Sequence, residues 1–429
     1  MATNATAVTP LVRRPTAVET VAIVAPHRDD TGYADALHRR GWRSVAVIPQ
    51  PLPDPPGRTT VPAGRYTSVV AHTTGLRHTV KRLRSLDVGA VLAGSEQGVE
   101  LAERIARKLA LPGSAPETAQ LRTDRGAQAA ALRAAGLNAP RSVRTESLRE
   151  ALQWRDFSQI DLCELLPDAV GAPVDPVLCR RRGDIVAAWT VMRRLAHQFA
   201  GHHRLVLREH LPGRHYLVHS VTHACLGGPP EHRVTDIWAQ TSTPNGWPAR
   251  LDLVDPHGLL ARSLSLYTTR VLDLLGVACG PTTCRVVNVP ERGPALLSAR
   301  PVAMATPADD ALRASTGWDR MGDAVDSVLP SDPLPTADVP SGHHVVRTLL
   351  HAPHDGAVHP LLLRVVAALP TVVRIDDRLS PLAAVRATTG PATVAGEVVL
   401  SGAKTADIEV AYRVIRALET AGLYEGGRR

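Results

Sequence analysis

The chain has 429 residues, 44% of them hydrophobic, with 49 basic against 41 acidic side chains and a net charge of +8. That apolar content can bury several cores, so roughly two to four domains are expected, and no run approaches the ~20 apolar residues a membrane helix needs. Only Lys81, Lys108 and Lys404 are lysines; the remaining basic charge is arginine, spread evenly with few aromatics between, which argues against a nucleic-acid surface.

Val21–Ala25 is a short apolar run ending at Pro26. A helix is expected from Tyr33 to about Arg40, stopped by Gly41, followed by a strand over Val45–Ile48. Strand, helix, strand is the start of a parallel α/β sheet. The pattern returns with a strand at Ala90–Ala93 and a helix from Gly98 to Leu109, so residues 1–112 read as one open-sheet unit. Met1–Val18 reads as a disordered arm and the proline-rich Pro49–Pro62 as an exposed loop. Between Pro112 and Arg155 two helices flank a strand-like Pro140–Val143. From Ile160 to Val328 short strands and helices alternate around a β-rich centre, Leu205–Ile237, with Arg180-Arg181-Arg182 in a turn. A second proline-rich linker, Leu329–Pro340, leads to the last unit, so the expected divisions are 1–112, 113–204, 205–330 and 331–429. Cys163, Cys179, Cys225, Cys279 and Cys284 form no C-x-x-C pair, and an odd number without a signal peptide fits reduced thiols in a cytoplasmic protein.

Gly94-Ser95-Glu96-Gln97-Gly98-Val99-Glu100-Leu101-Ala102 and Leu111-Pro112-Gly113 resemble the end of the N-terminal domain of ATP-grasp ligases, in the branch of amino-acid ligases that join a carboxylate to an amine. The likeness continues in order through Thr123-Asp124-Arg125, Ala134-Ala135-Gly136-Leu137, Glu209-His210-Leu211-Pro212-Gly213 with Tyr216, and His232–Trp238. Asn245-Gly246, Leu275-Gly276-Val277 with Gly280-Pro281, Ala299-Arg300-Pro301 and Tyr412–Leu418 complete it. The resemblance implies a mixed α/β and α+β architecture: a Rossmann-like domain with an open parallel sheet, a lid, a large subdomain and a C-terminal α+β extension. Dimers are frequent in that family.

Enzymes of this kind phosphorylate a carboxylate with ATP and let an amine attack the acyl phosphate. Lysines neutralise the triphosphate, and carboxylates with an amide hold the Mg²⁺ ions that bridge its oxygens. Carried onto this chain, the first phosphate lysine falls on Arg125 and the second on Cys163, beside Glu164. The glycine-rich flap becomes Leu166–Gly171, and the glutamate expected at the ribose becomes His215. The metal carboxylates fall on Arg285 and Leu296, and the neighbouring amide on Ser298; only Arg300 keeps the family's identity. From Lys108 to Lys404 there is no lysine at all. A guanidinium repels Mg²⁺ and a leucine cannot ligate it, so no metal and no cofactor are expected.

His215, His219 and His223 recur at intervals of four, so in a strand they share one face with Leu217, Val221 and Cys225. At ~3.3 Å per residue, adjacent members stand ~13 Å apart, too far to chelate one zinc without partners such as His202, His203 or His232. Proton transfer by one imidazole fits better, with Glu209, Asp236 and Asn245 as polar neighbours able to orient it. Cys163 is a second candidate at the cleft, although Glu164 and burial would raise its pKa. His343-His344 and His351-x-x-His354 read as loop residues.

The expected function is a repurposed enzyme of a biosynthetic, natural-product type of pathway, acting without ATP or Mg²⁺ on an amino-acid- or peptide-like substrate. Arg300 would bind a carboxylate and His215 or His219 would move protons, with Arg125, Cys163, Glu209, His223, Asp236, Asn245 and Arg285 as binding candidates. The alternatives are a non-catalytic pseudo-ligase that partners a pathway enzyme, and an ATP-dependent ligase in which Arg125 and Arg285 replace lysine.

Overall fold

The computed structural model describes residues 20–26, 32–49, 64–224, 228–329, 344–390 and 393–426. The N-terminal arm, the loop 50–63, Cys225, His343 and most of the second linker lie outside them.

Four strands, β1 (Thr20–Val24), β2 (Arg43–Pro49), β3 (Ser68–His72) and β4 (Ala90–Ala93), form a parallel sheet in the order β3-β2-β1-β4. The near-continuous apolar text of β1 and β2 suits a sheet buried on both faces, and Val21–Val24 and Val45–Val47 are almost wholly inaccessible. The helices Gly32–Arg39 and Val99–Leu109 match the expected ones. β3 and the helix Leu76–Arg84 had no counterpart in the sequence reading: two valines and a basic helix leave a faint period. A Cβ at Gly98 would strike the carbonyl of Val24, and one at Gly94 would come within 2.6 Å of Pro26 Cα. The two glycines of the Gly-Ser-Glu-Gln-Gly segment are therefore needed for close backbone approach.

The lid is a four-stranded antiparallel sheet of β5 (Ser142–Thr145), β6 (Cys163–Pro167), β7 (Val177–Cys179) and β8 (Leu205–Glu209), ordered β5-β8-β6-β7. β8 pairs with both β5 and β6, so the division expected at 204/205 cuts through the lid; the lid reaches Glu209. Helices Leu148–Ser158 and Arg182–Ala200 cover one face of it, burying Ile185, Trp189 and Met192 with Cys163 and Cys179.

The largest sheet contains β9 (Arg214–His223), β10 (Glu231–Ser242), β11 (Pro248–Leu253), β12 (Gly280–Val289) and β13 (Gly293–Arg300). It continues without a break into the C-terminal unit through β14 (His344–Leu350), β16 (Val372–Ile375) and β18 (Gly396–Gly402). The unit expected to stand apart at 331–429 thus extends the central sheet, in the order β13-β12-β9-β10-β11-β14-β18-β16. β15 (Gly356–Val358), β17 (Ala384–Val385) and β19 (Tyr424–Gly426) make a small third sheet. One face of the central sheet packs on the helix Leu259–Leu274, where Leu264, Val271 and Leu272 are fully buried. Each such side chain contributes about 1.5–3 kcal/mol of burial. The other face of β9, β12 and β13 is left to line a cleft under the lid. No helix among the described residues is long and apolar enough to cross a membrane.

Candidate functional site

Strand register decides which side chains share the cleft face. Arg300 pairs with Thr283, Thr283 with His219, and His219 with Asp236, so one row crosses β13, β12, β9 and β10. The next row is Ser298, Arg285, Leu217 and Trp238, and the third holds Val287, His215 and Gln240. Directly opposed residues point to the same side of a sheet. Arg300, Arg285, His219 and His215 therefore face one cleft.

His219 is 8% exposed, and its Nδ1 lies 2.5 Å from a carboxylate oxygen of Asp236. Asp236 also accepts from Trp238 Nε1 at 2.6 Å and from the Thr235 hydroxyl at 2.6 Å. Burial alone would raise the Asp236 pKa, but the His219 charge and hydrogen bond, with help from Arg320 and Thr235, bring it down to about 2. The dyad is thus an imidazole fixed by a buried carboxylate.

Four arginines converge above this face. Arg208 bonds Glu164 at 2.7 Å and the Leu297 carbonyl at 2.8 Å. Glu164 also meets His210 Nδ1 at 2.7 Å; burial opposes its charge, yet Arg208 and His210 take its pKa down to about 2. Arg300 is held by Glu96, which comes from the turn after β4. Arg125 donates to the carbonyls of Pro167, Ala169 and Val170, and burial followed by Arg208, Arg285 and Arg300 takes its pKa down to about 9. Arg285 is shifted down by the same causes, burial first, and no described residue bonds its guanidinium. Beside it, His215 has a buried Nδ1 without a partner; burial and then Arg285 take this imidazole down to about 4.

The flap lies closed on the helix Arg125–Ala134. Asp168 is wholly buried, accepts from the Gly126 N–H at 2.8 Å and pairs with Arg144, with Arg204 at 3.6 Å. The Val170 N–H donates to Thr123 at 2.9 Å, and a Cβ on Gly171 would lie 2.7 Å from Glu96 Cβ. Between Arg125, Gln128, Ser142, Arg208 and Leu297 a cavity of about 10 Å³ remains, room for one water at most.

This geometry corrects several expectations. Cys163 faces the helices of the lid, directly opposite Cys179, with no exposed surface, and burial raises its thiol pKa. Strand alternation puts Glu164 on the cleft side instead, so the position taken for a lost lysine carries a carboxylate. Leu296 lies in the core under the helix Leu259–Leu274, because the register slips between Arg285 and Val286 and leaves Leu297 toward Leu211 and Val287. Glu209 is buried between Arg141 and Arg292 at 2.8 and 2.7 Å, bracing the lid against the β12–β13 hairpin. Asn245 occupies an exposed turn between β10 and β11, where the Gly246 N–H bonds Thr243. His223 ends β9 away from the row, its pKa lowered by burial and by Arg233. Among the described residues no three His, Cys, Asp or Glu side chains converge.

Glu96, Glu164, Thr283 and Arg208 were not singled out as site residues. Arg208 had a readable signal, a cation directly after the apolar run Leu205-Val206-Leu207, which a buried strand must place against an anion.

No family model matches the chain, and no curated protein matches it in sequence. Solved structures do. An L-amino acid ligase from Bacillus licheniformis superposes with a TM-score of 0.70 at 14% identity, over 94% of this chain and 98% of that one. N5-carboxyaminoimidazole ribonucleotide synthetase in its ADP complex gives 0.68 at 15%, over 97% and 99%. Carboxyaminoimidazole ribonucleotide synthase from Aspergillus clavatus, complexed with ATP, gives 0.69 at 10%, over 94% and 99%. The fold is that of the ATP-grasp carboxylate–amine ligases. At these identities the likeness is one of fold.

Proposed function

We propose that this is a repurposed enzyme of the ATP-grasp fold that acts on an amino-acid- or peptide-like substrate without ATP or Mg²⁺. The observation that carries this reading is the row Arg300–Thr283–His219–Asp236. Asp236 holds the His219 ring through Nδ1, which leaves Nε2 as the nitrogen available for proton transfer. Arg300 two strands away is a carboxylate seat, which a substrate enters by exchanging with Glu96.

The residues present do not suit Mg-ATP. Mg²⁺ takes hard oxygen ligands, while this face of β12 and β13 offers Arg285, Ser298 and Arg300. Arg125 is already engaged by three flap carbonyls. The test is incubation with amino acids and dipeptides in EDTA, with products followed by mass spectrometry. Turnover lost in H219A and R300A is expected; turnover that requires Mg-ATP would overturn the reading.

One observation favours a second reading, a non-catalytic partner of a pathway enzyme: the flap is pinned shut on the helix Arg125–Ala134 through Asp168 and Val170. If H219A and R300A support the reconstituted pathway as well as the wild type, that reading replaces the first.

A further inference from the structure

The four arginines of the cleft are unequally bonded by the groups around them. Arg125, Arg208, Arg285 and Arg300 all lie within electrostatic reach of one another. Against them stand Glu96 on Arg300, Glu164 on Arg208, and Asp168 and Asp175, which act on Arg125 and Arg285 only through space. Four carboxylates thus face four cations, but direct bonding does not reach every guanidinium. Arg125 is held by three carbonyls, Arg208 by Glu164 and Leu297, and Arg300 by Glu96. Arg285 has no such partner among the described residues. His215 pairs with Val287, two residues along the same face, and its buried Nδ1 is also unpartnered. Two polar groups with nothing to bond thus adjoin each other in a cleft wall, and both gain if an anion arrives.

We propose that Arg285 and His215 form a metal-free seat for a phosphate group. In the resembled ligases this strand position implies a carboxylate that holds a metal; here its charge is inverted, so an anion bonds the protein directly. A tetrahedral oxyanion offers several acceptors, enough for the guanidinium fork and one imidazole N–H together. The inference rests on the amino-acid reading of Arg300 and deepens it. Arg285 opposes Ser298, two residues from Arg300, and such diagonal neighbours stand roughly 7–8 Å apart. One small molecule can reach both, so the ligand class is a phosphorylated amino acid or peptide.

The test is thermal unfolding in EDTA with orthophosphate, O-phosphoserine or serine, on the wild type, R285Q, R285K and R300Q. Ligand-free unfolding and far-UV circular dichroism establish that each variant folds. Orthophosphate and phosphoserine are expected to raise the wild-type midpoint. R285Q weakens orthophosphate binding about 10- to 100-fold, and R285K retains part of it. The serine shift disappears in R300Q alone. No orthophosphate shift in the wild type, or one of equal size in R285Q, overturns the seat. A serine shift without an orthophosphate shift removes the seat and keeps the amino-acid reading. The reverse pattern, dependent on Arg285, keeps the seat and removes that reading.

Discussion

His219 and Asp236 make the sharpest demands at the level of single residues. If His219 transfers the proton, H219A lowers turnover by on the order of 10²–10⁴-fold while the fold persists. D236N removes the carboxylate that fixes the ring, so it lowers kcat and alters the pH profile, an effect that loss of packing alone does not produce. Cys163 gives the opposite expectation. C163A leaves turnover unchanged and costs about 1 kcal/mol of stability in denaturant titration, because the thiol packs among the lid helices. His215 sets a pH window. Its folded pKa, about 4, lies below the ordinary value near 6.5, so on acidification the unfolded chain takes up a proton that the native one refuses. Stability carried by the neutral ring is full above about pH 6.5 and lost as pH falls toward 4. Denaturant midpoints measured from pH 7 to 4 should therefore fall less in H215Q than in the wild type.

Among the elements, the flap is the informative one. Asp168 ties it to the first turn of the helix Arg125–Ala134 and to two arginines, and the site is wholly buried on the aspartate side. Removing one partner of a buried pair leaves the other uncompensated, so D168A should lower stability by about 3 kcal/mol. Hydrogen exchange at residues 166–171 should rise with it; unchanged exchange would mean that the latch does not hold the flap. The same strands show where sequence reading stops. Period-2 alternation identified His215 and His219 as sharing a face, and the order of short apolar runs identified the strands that carry them. Register was not legible. A shift of one residue separates Cys163, which faces the lid core, from Glu164, which faces the cleft, and one slip beside Arg285 separates Leu296 from Leu297. Cross-strand pairing is a long-range property, and so the Arg300–Thr283–His219–Asp236 row could not be read from spacing along the chain.

For the whole molecule, the open parallel sheet, the lid and the C-terminal extension were foreseeable from the ordered blocks of likeness. The continuity of β14 and β18 with the central sheet was not, because a linker in sequence says nothing about a shared ladder. The C-terminal unit has its own pH signature. Glu419 is buried beside Arg416 and accepts the His351 N–H at 2.7 Å, yet burial outweighs both and raises it to about 7. A raised carboxylate binds its proton in the native state first, so this contribution is full below about pH 4.5 and lost as pH rises through 7. E419Q should flatten that decline. The claim on which everything else depends is that the cleft has left Mg-ATP chemistry behind. Thermal unfolding with millimolar Mg-ATP, Mg-ADP or EDTA alone tests it most directly, since a ligand at ~100 times its Kd adds about 2.7 kcal/mol. The account predicts no increase in midpoint that requires Mg²⁺ and nucleotide together; a clear increase requiring both would contradict it and restore an ATP-dependent ligase.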